Sequence, residues 1–138
     1  MTGAKILAGA LQELGIERIY FFPGASIAPL LGELTKIGIE LVCARNEQGA
    51  GFAALGAARI TRKPQVVIVT SGPGAINLLT PIADAFFDSV PIIAITGQVE
   101  SWYITQKTNI RQIEFQQTDV IRMYEPVTRN QKVLLPGS

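Results

Sequence analysis

The sequence QVVIVT at residues 65–70 constrains the fold more than any other stretch of the chain. It is apolar and β-branched at its centre, too short for a helix of ordinary length, and followed at once by the turn residues SGPG. Continuous apolar runs of this kind are typical of parallel strands that are covered on both faces. Parallel strands need long crossover connections, usually helices, so this run predicts a layered α/β domain.

The rest of the chain supplies the matching strands and helices. Three further strand-like runs occupy residues 18–22, 39–44 and 90–96, and helical patterns occupy residues 3–14, 27–37, 47–61 and 75–88. Glycines or a Lys-Pro pair stop the first three helices. The alternation predicts a doubly wound parallel sheet with helices on both faces, forming a single domain over residues 1–130. Residues 131–138 are expected to begin a linker to a further domain.

Composition excludes several classes of function. The 12 basic and 11 acidic residues nearly balance, so neither nucleic acid nor an anionic membrane is an expected partner. No apolar run reaches the ~18 residues that a membrane-spanning helix needs. The chain has no histidine, which removes serine–histidine triads and most zinc sites, and we expect no metal ligands. The single cysteine, Cys43, is interpreted as a small core residue in a reducing, cytoplasmic compartment.

Three turns follow predicted strands: PGAS at 23–26, RNE at 45–47 and SGPG at 71–74. In a parallel sheet these turns meet at one edge, where ligands bind. Glu47 places a carboxylate there, at the start of a helix rich in glycine and alanine. The alternative is a first-turn acid that complements the helix dipole, with Asn46 as cap, and from chemistry alone that alternative is slightly favoured.

The other candidates also have structural alternatives. Ser26 by itself is more simply a helix cap, and Asp84 and Asp88 read as solvated acids of one helix face. Asn77, in the first turn of a helix, needs a hydrogen-bond partner. The SGPG turn lacks the lysine of a phosphate-binding loop and its proline has no N–H to donate, so its glycines are interpreted as room for a flat ring.

Four segments together carry a resemblance to a known family: PGAS at 23–26, RNEQGAGFAALGAAR at 45–59, TSGPGAINLLTPIADAFFDSVPIIAITGQV at 70–99 and FQQTD at 115–119. In this order they closely resemble the N-terminal pyrimidine-binding domain of thiamine-diphosphate enzymes. Among those enzymes, acetolactate synthases and acetolactate-synthase-like proteins look most similar. The match extends over nearly the whole chain.

The resemblance implies a role for each matching residue. Glu47 would be the catalytic glutamate that contacts ring nitrogen N1′ of the aminopyrimidine, so that the cofactor can lose its C2 proton and react with a 2-oxo acid. The residues implied to surround the cofactor are Gly24, Glu47, Thr70, Ser71, Gly72, Pro73, Gly74 and Asn77. On the substrate side the resemblance implies Ala25, Ser26, Phe115 and Gln116.

The resemblance also implies parts outside this chain. The family binds diphosphate and Mg²⁺ through a separate domain, contributed by a second subunit of a homodimer or homotetramer, and no such motif occurs here. The fragment alone is therefore expected to be inactive, and whether FAD is bound is left open. Asn46 replaces the family's usual histidine, and residues 99–115 are longer than in acetolactate synthases. The alternatives are thus a non-catalytic interaction module that keeps the fold, or one subunit of a split 2-oxo-acid decarboxylase.

Overall fold

The computed structural model describes residues 2–104 and 110–135. Its main elements alternate in the predicted order. The helices are α1 (Gly3–Glu13), α2 (Ala28–Lys36), α3 (Glu47–Thr61), α4 (Pro73–Phe87), α5 (Ser101–Ile104) and α6 (Val120–Tyr124). The strands are β1 (Arg18–Phe21), β2 (Glu40–Cys43), β3 (Gln65–Val69) and β4 (Ile92–Thr96).

The four strands form one parallel sheet in the order β2-β1-β3-β4. The register pairs Phe21 with Cys43 on one side and with Ile68 on the other, and Val69 pairs with Thr96. The carboxyl ends of the four strands therefore lie nearly level, and the turns that follow them share one edge of the sheet. The predicted doubly wound α/β fold is confirmed.

The period of two along each strand divides the core between the two faces. On one face, Ile19, Val66 and Ile68 pack with Leu11 of α1 and Leu34 of α2. On the other face the core cluster unites β1 and β3 with α3, α4 and α6; its main members are Tyr20, Val67, Val69, Ala50, Ala54, Leu78 and Tyr124. Burial of both faces explains why β3 is apolar at nearly every position.

Helix ends follow the sequence signals in most places. The Thr2 hydroxyl accepts a hydrogen bond from the Lys5 amide at the start of α1, and Gly15 lies at φ 71° just after it, as expected of a stop glycine. The prediction for Ser26 as a helix cap is wrong. Residues Ala25–Ile27 form a short 3₁₀ turn, and α2 begins after Ile27 without a capping side chain.

Two further expectations need correction. Cys43 is exposed at the end of the edge strand β2 rather than part of the core. Asp84 and Asp88 are not simply solvated, because the Arg59 guanidinium donates to the Asp88 carboxylate and lies 3.7 Å from that of Asp84. These ion pairs join the C-terminal halves of α3 and α4.

The segment after β4 contains two short helices, α5 and α6. The ring centroids of Trp102 and Tyr103 lie 4.6 Å apart on α5, and the Asp119 side chain caps α6 by accepting a hydrogen bond from the Arg122 amide. Residues 105–109 of the long 99–115 segment lie outside the described residues. Residues Glu125–Val127 form a 3₁₀ turn, and extended backbone begins at Thr128. Among the described residues every helix is too short or too polar to cross a membrane.

Candidate functional site

Glu47 is the first residue of α3, directly after the carboxyl end of β2. Asn46 caps the helix, its side-chain oxygen accepting a hydrogen bond of 2.7 Å from the Gly49 amide. The half-buried Glu47 carboxylate does not turn back to that helix end. Its Oε2 accepts a hydrogen bond of 2.7 Å from Nδ2 of Asn77, which lies just past the first turn of α4. The structure thus gives the capping role to Asn46 and links Glu47 to a neighbouring helix.

Glycines leave room beside this carboxylate. A Cβ atom at Gly74 would lie 3.2 Å from Oε1 of Glu47 and 2.6 Å from Cγ2 of Thr70. A Cβ atom at Gly24 would strike the Thr70 side chain, with Cγ2 2.8 Å away. Only glycine permits this approach of three backbone segments. Gly24, Thr70 and Gly74 therefore form one close-packed group that extends to Glu47.

Ser26 ties the ends of β1 and β3 together. Its hydroxyl shares a hydrogen bond of 2.8 Å with the Thr70 hydroxyl and accepts one of 3.2 Å from the Ser71 amide. Ser71 itself is buried. These bonds fix the Thr70 side chain against the two glycines.

Gly72 and Gln116 both have positive φ angles and approach each other closely. Gly72 precedes α4 at φ 58°, and Gln116 adopts φ 59°, a left-handed conformation that costs a non-glycine residue about 1 kcal/mol or more. A Cβ atom at Gly72 would lie 2.6 Å from Cβ of Gln116 and 2.7 Å from its carbonyl oxygen. The loop after β4 is thereby brought onto the turn that begins α4, as expected if Gln116 belongs to the site.

The remaining predicted residues lie at the rim. Pro73 occupies the first turn of α4, not a preceding turn as predicted, and its exposed ring suits a helix start. Ala25 is exposed in the 3₁₀ turn. The Phe115 side chain is 76% exposed, so the chain itself does not pack this ring into the site.

Sequence reasoning missed two residues that shape this edge. A Cβ atom at Gly97 would strike the Ser26 hydroxyl, so the end of β4 also contacts the site. The buried Tyr124 hydroxyl donates a hydrogen bond of 2.6 Å to the Ala75 carbonyl in the first turn of α4, and burial raises the pKa of this phenol well above its usual range. Gly97 could have been found from its position directly after a strand. Tyr124 carried no such signal, because its partner is 49 residues away.

A broad groove among the described residues does not contain the carboxylate. It has a volume of about 1670 Å³ and runs along β4, and of the predicted site residues only Ser26 lines it. Glu47 and Asn77 instead lie on an open edge of the sheet. Their hydrogen bond and the glycine contacts define the site better than cavity size does. Within the described residues, no cluster of acidic or cysteine side chains could hold a metal ion.

Comparison with known proteins identifies the family of the chain. The family model described as the N-terminal TPP binding domain of thiamine pyrophosphate enzymes matches residues 1–123. The chain belongs to the thiamine pyrophosphate enzyme family. It is 44% identical over 131 residues to the acetolactate synthase large subunit of Corynebacterium glutamicum, covering 94% of this chain and 20% of that protein.

Two further relatives agree. The isozyme 2 large subunit of acetolactate synthase from Escherichia coli K12 is 42% identical, over 94% of this chain and 23% of that protein. The chloroplastic acetolactate synthase 2 of Brassica napus is 41% identical, over 97% of this chain and 20% of that protein. The chain therefore spans about one-fifth of the length of these curated relatives, and it matches the thiamine pyrophosphate-binding part of the family.

Proposed function

We propose that this chain is the pyrimidine-binding domain, residues 1–130, of a thiamine-diphosphate-dependent enzyme that acts on 2-oxo acids by acetolactate-synthase-like carboligation or decarboxylation. The observation that carries the proposal is the Glu47–Asn77 hydrogen bond of 2.7 Å beside Gly74. An ordinary first-turn acid needs neither this partner nor a glycine beside it. Residues 131–138 would lead toward a further domain.

The residues present fit the aminopyrimidine of thiamine diphosphate. At Gly24, Gly72 and Gly74 the chain's own Thr70 or Gln116 occupies the place of a Cβ atom, so these positions add no side chain that could cover the edge beside Glu47. One oxygen of Glu47 is bound by Asn77, and Oε1 lies next to Gly74. This donor set suits a ring nitrogen that shares a proton with a carboxyl group.

Each residue has a distinct role in this proposal. Glu47 holds or releases the proton at the pyrimidine nitrogen, and Asn77 orients its carboxylate. Thr70, fixed by Ser26, shapes the wall between Gly24 and Gly74. Thiamine diphosphate, when bound, supplies the carbon that attacks the 2-oxo acid. Gln116 would lie on the substrate side, and its close approach to Gly72 supports this position.

Other parts of the active site are proposed to come from outside this domain. The diphosphate and Mg²⁺ would be bound by a separate domain of a second subunit, in a homodimer or homotetramer, and this chain alone would be inactive. Two exposed apolar side chains support a covering partner: Phe52, 43% exposed on α3, and Ile76, 47% exposed beside Asn77 on α4. A cytoplasmic location is part of the same proposal.

A non-catalytic interaction module of the same fold, or one subunit of a split decarboxylase, is the alternative. The replacement of the family's usual histidine by Asn46 does not argue for the module, because Asn46 caps α3 and Glu47 still accepts its hydrogen bond from Asn77. Reading the gene beyond Ser138 separates the three possibilities. A diphosphate-binding motif in the same frame supports the enzyme, the same motif in a neighbouring gene supports the split form, and neither supports the module.

The proposal is tested by exchange of the C2 proton of bound thiamine diphosphate in the full-length protein. Glu47→Gln should slow the exchange by at least about 100-fold, the contribution expected of a positioned general acid–base group. Glu13→Gln, which changes an exposed glutamate at the end of α1, is the matched control and should leave the rate unchanged. Equal exchange in the wild-type and Glu47→Gln proteins would remove Glu47 from the proposed mechanism.

A further inference from the structure

Helices α3 and α4 contact each other at three successive levels. At the first level, Glu47 accepts the hydrogen bond from Asn77. Four residues further along both helices, Gly51 faces Pro81: a Cβ atom at Gly51 would strike Cγ of Pro81 and lie 2.8 Å from its Cβ. Near the C-terminal ends, Arg59 pairs with the carboxylates of Asp84 and Asp88. The levels advance in the same direction, so the two helices run parallel.

The middle level is an unusual place for a proline. Inside a helix, proline removes one backbone hydrogen bond, here the one that would reach the Asn77 carbonyl, and costs about 3 kcal/mol. Pro81 is nevertheless fully buried inside α4. Its ring lies against the one position of α3 where a glycine gives it room. The contact therefore has a packing reason that offsets an unfavourable local choice.

This contact lies one helical turn, about 6 Å, from the Glu47–Asn77 hydrogen bond. Helices behave as nearly rigid units over a single turn, since packed interiors transmit displacement. Any change in helix separation at Gly51 and Pro81 is therefore passed on to the carboxylate and the amide. A 2.7 Å hydrogen bond that lengthens by about 1 Å no longer meets hydrogen-bond geometry.

We propose that Pro81, seated in the notch that Gly51 leaves in α3, is the positioning residue that sets the separation of α3 and α4 at which Asn77 holds Glu47. The cofactor readout rests on the proposed function. The separation itself is a property of the protein alone and can be measured without thiamine diphosphate.

The test compares three variants of the full-length protein with the wild type: a single variant, a double variant and a control. Gly51→Ala adds a methyl group that must displace Pro81 or Leu78, whose Cδ1 would also lie 2.8 Å away. In the crystal structure of this variant, the Glu47 Oε2 to Asn77 Nδ2 distance should exceed 3.5 Å. Binding of thiamine diphosphate, measured by calorimetry, should weaken about tenfold, because a displaced Glu47 carboxylate would lose its own hydrogen bond to the pyrimidine.

Pro81→Ala combined with Gly51→Ala supplies the decisive outcome. The double variant removes ring atoms where the methyl group was added, so it should restore both the hydrogen bond and the binding affinity to within about threefold of wild type. Gly56→Ala is the matched control, since it makes the same change in the same helix with nothing within 4 Å of the new Cβ. It should leave the distance and the affinity unchanged.

Contrary outcomes are equally clear. A folded Gly51→Ala protein that keeps the 2.7 Å bond overturns the proposal, as does a double variant that binds no better than the single one. If Gly51→Ala does not fold, the double variant must fold and bind normally, and its failure to do either also overturns the proposal. Wild-type C2 exchange in Glu47→Gln, with the distances behaving as expected, would reject the proposed function and leave the positioning role standing.

Discussion

Replacement of Asn77 by aspartate or by alanine tests the central contact of the site, because the two variants remove the same donor with different electrostatic consequences. Alanine deletes a hydrogen bond to a carboxylate, and such bonds contribute about 1.5–3 kcal/mol. The lower value applies here because Glu47 is only half-buried. Alanine also favours the helix by about 0.6 kcal/mol. We therefore expect Asn77→Ala to lower the free energy of unfolding by about 1 kcal/mol.

Aspartate has nearly the shape of asparagine but places a second negative charge where Nδ2 lies, 2.7 Å from Oε2 of Glu47. Coulomb's law gives a repulsion of about 1.5 kcal/mol at this separation even with the dielectric constant of water. Added to the lost hydrogen bond, this makes Asn77→Asp about 3 kcal/mol less stable than wild type at pH 7, and about 2 kcal/mol less stable than Asn77→Ala.

Urea unfolding of the chain at pH 7 and pH 4 measures both effects. The difference in free energy of unfolding between Asn77→Ala and Asn77→Asp should be smaller at pH 4, where carboxylates begin to take up protons. Asn130→Asp, which changes an exposed asparagine outside any helix or strand, is the control and should change stability by less than about 0.5 kcal/mol. An Asn77→Asp protein as stable at pH 7 as Asn77→Ala would show that Asn77 does not donate to Glu47.

Further predictions concern packing, burial and surface charge. Gly24→Ala should lower the free energy of unfolding by about 3 kcal/mol through its collision with Thr70, whereas Gly32→Ala, with open space around it, should not be destabilising; equal melting temperatures would refute the collision. The pKa of Tyr124 is raised in the folded state. The free energy of unfolding should therefore be unaffected below about pH 10 and fall above it by about 1.4 kcal/mol per pH unit. Tyr124→Phe should flatten that fall in alkaline unfolding curves, and an unchanged slope would contradict the burial argument. Arg59→Met should lower the free energy of unfolding by less than about 1 kcal/mol, since the ion pairs of Arg59 are half-exposed. A larger loss of stability in calorimetry would contradict this exposed role of the guanidinium.

Much of the site was predictable because its parts follow strand ends. The turns at 23–26, 45–47 and 71–74 could be assigned to one edge once the strands were recognised as parallel. Asn77 could be singled out because an asparagine in a helix needs a partner. The identity of that partner could not be predicted, since nothing local distinguishes Glu47 from a first-turn acid that complements the helix dipole.

Other contacts were beyond the reach of the pattern. Ser26 has the residue type of a helix cap, yet it bonds Thr70 and Ser71, 44 and 45 residues away. Asp84 and Asp88 have the spacing of solvated acids, and only the packing of α3 against α4 brings Arg59 to them. In each case a local preference of modest size was overridden by a partner that is distant in the chain.

The sequence by itself determined the layered α/β fold, the order of its elements and the family, because hydrophobic periodicity and turn residues are local properties that the chain carries wherever it lies. The tertiary structure decided which polar groups meet. It turned Glu47 toward Asn77, and it seated Pro81 against Gly51. These outcomes depend on the separation and register of packed helices. The whole core sets them, so no single stretch of the chain determines them.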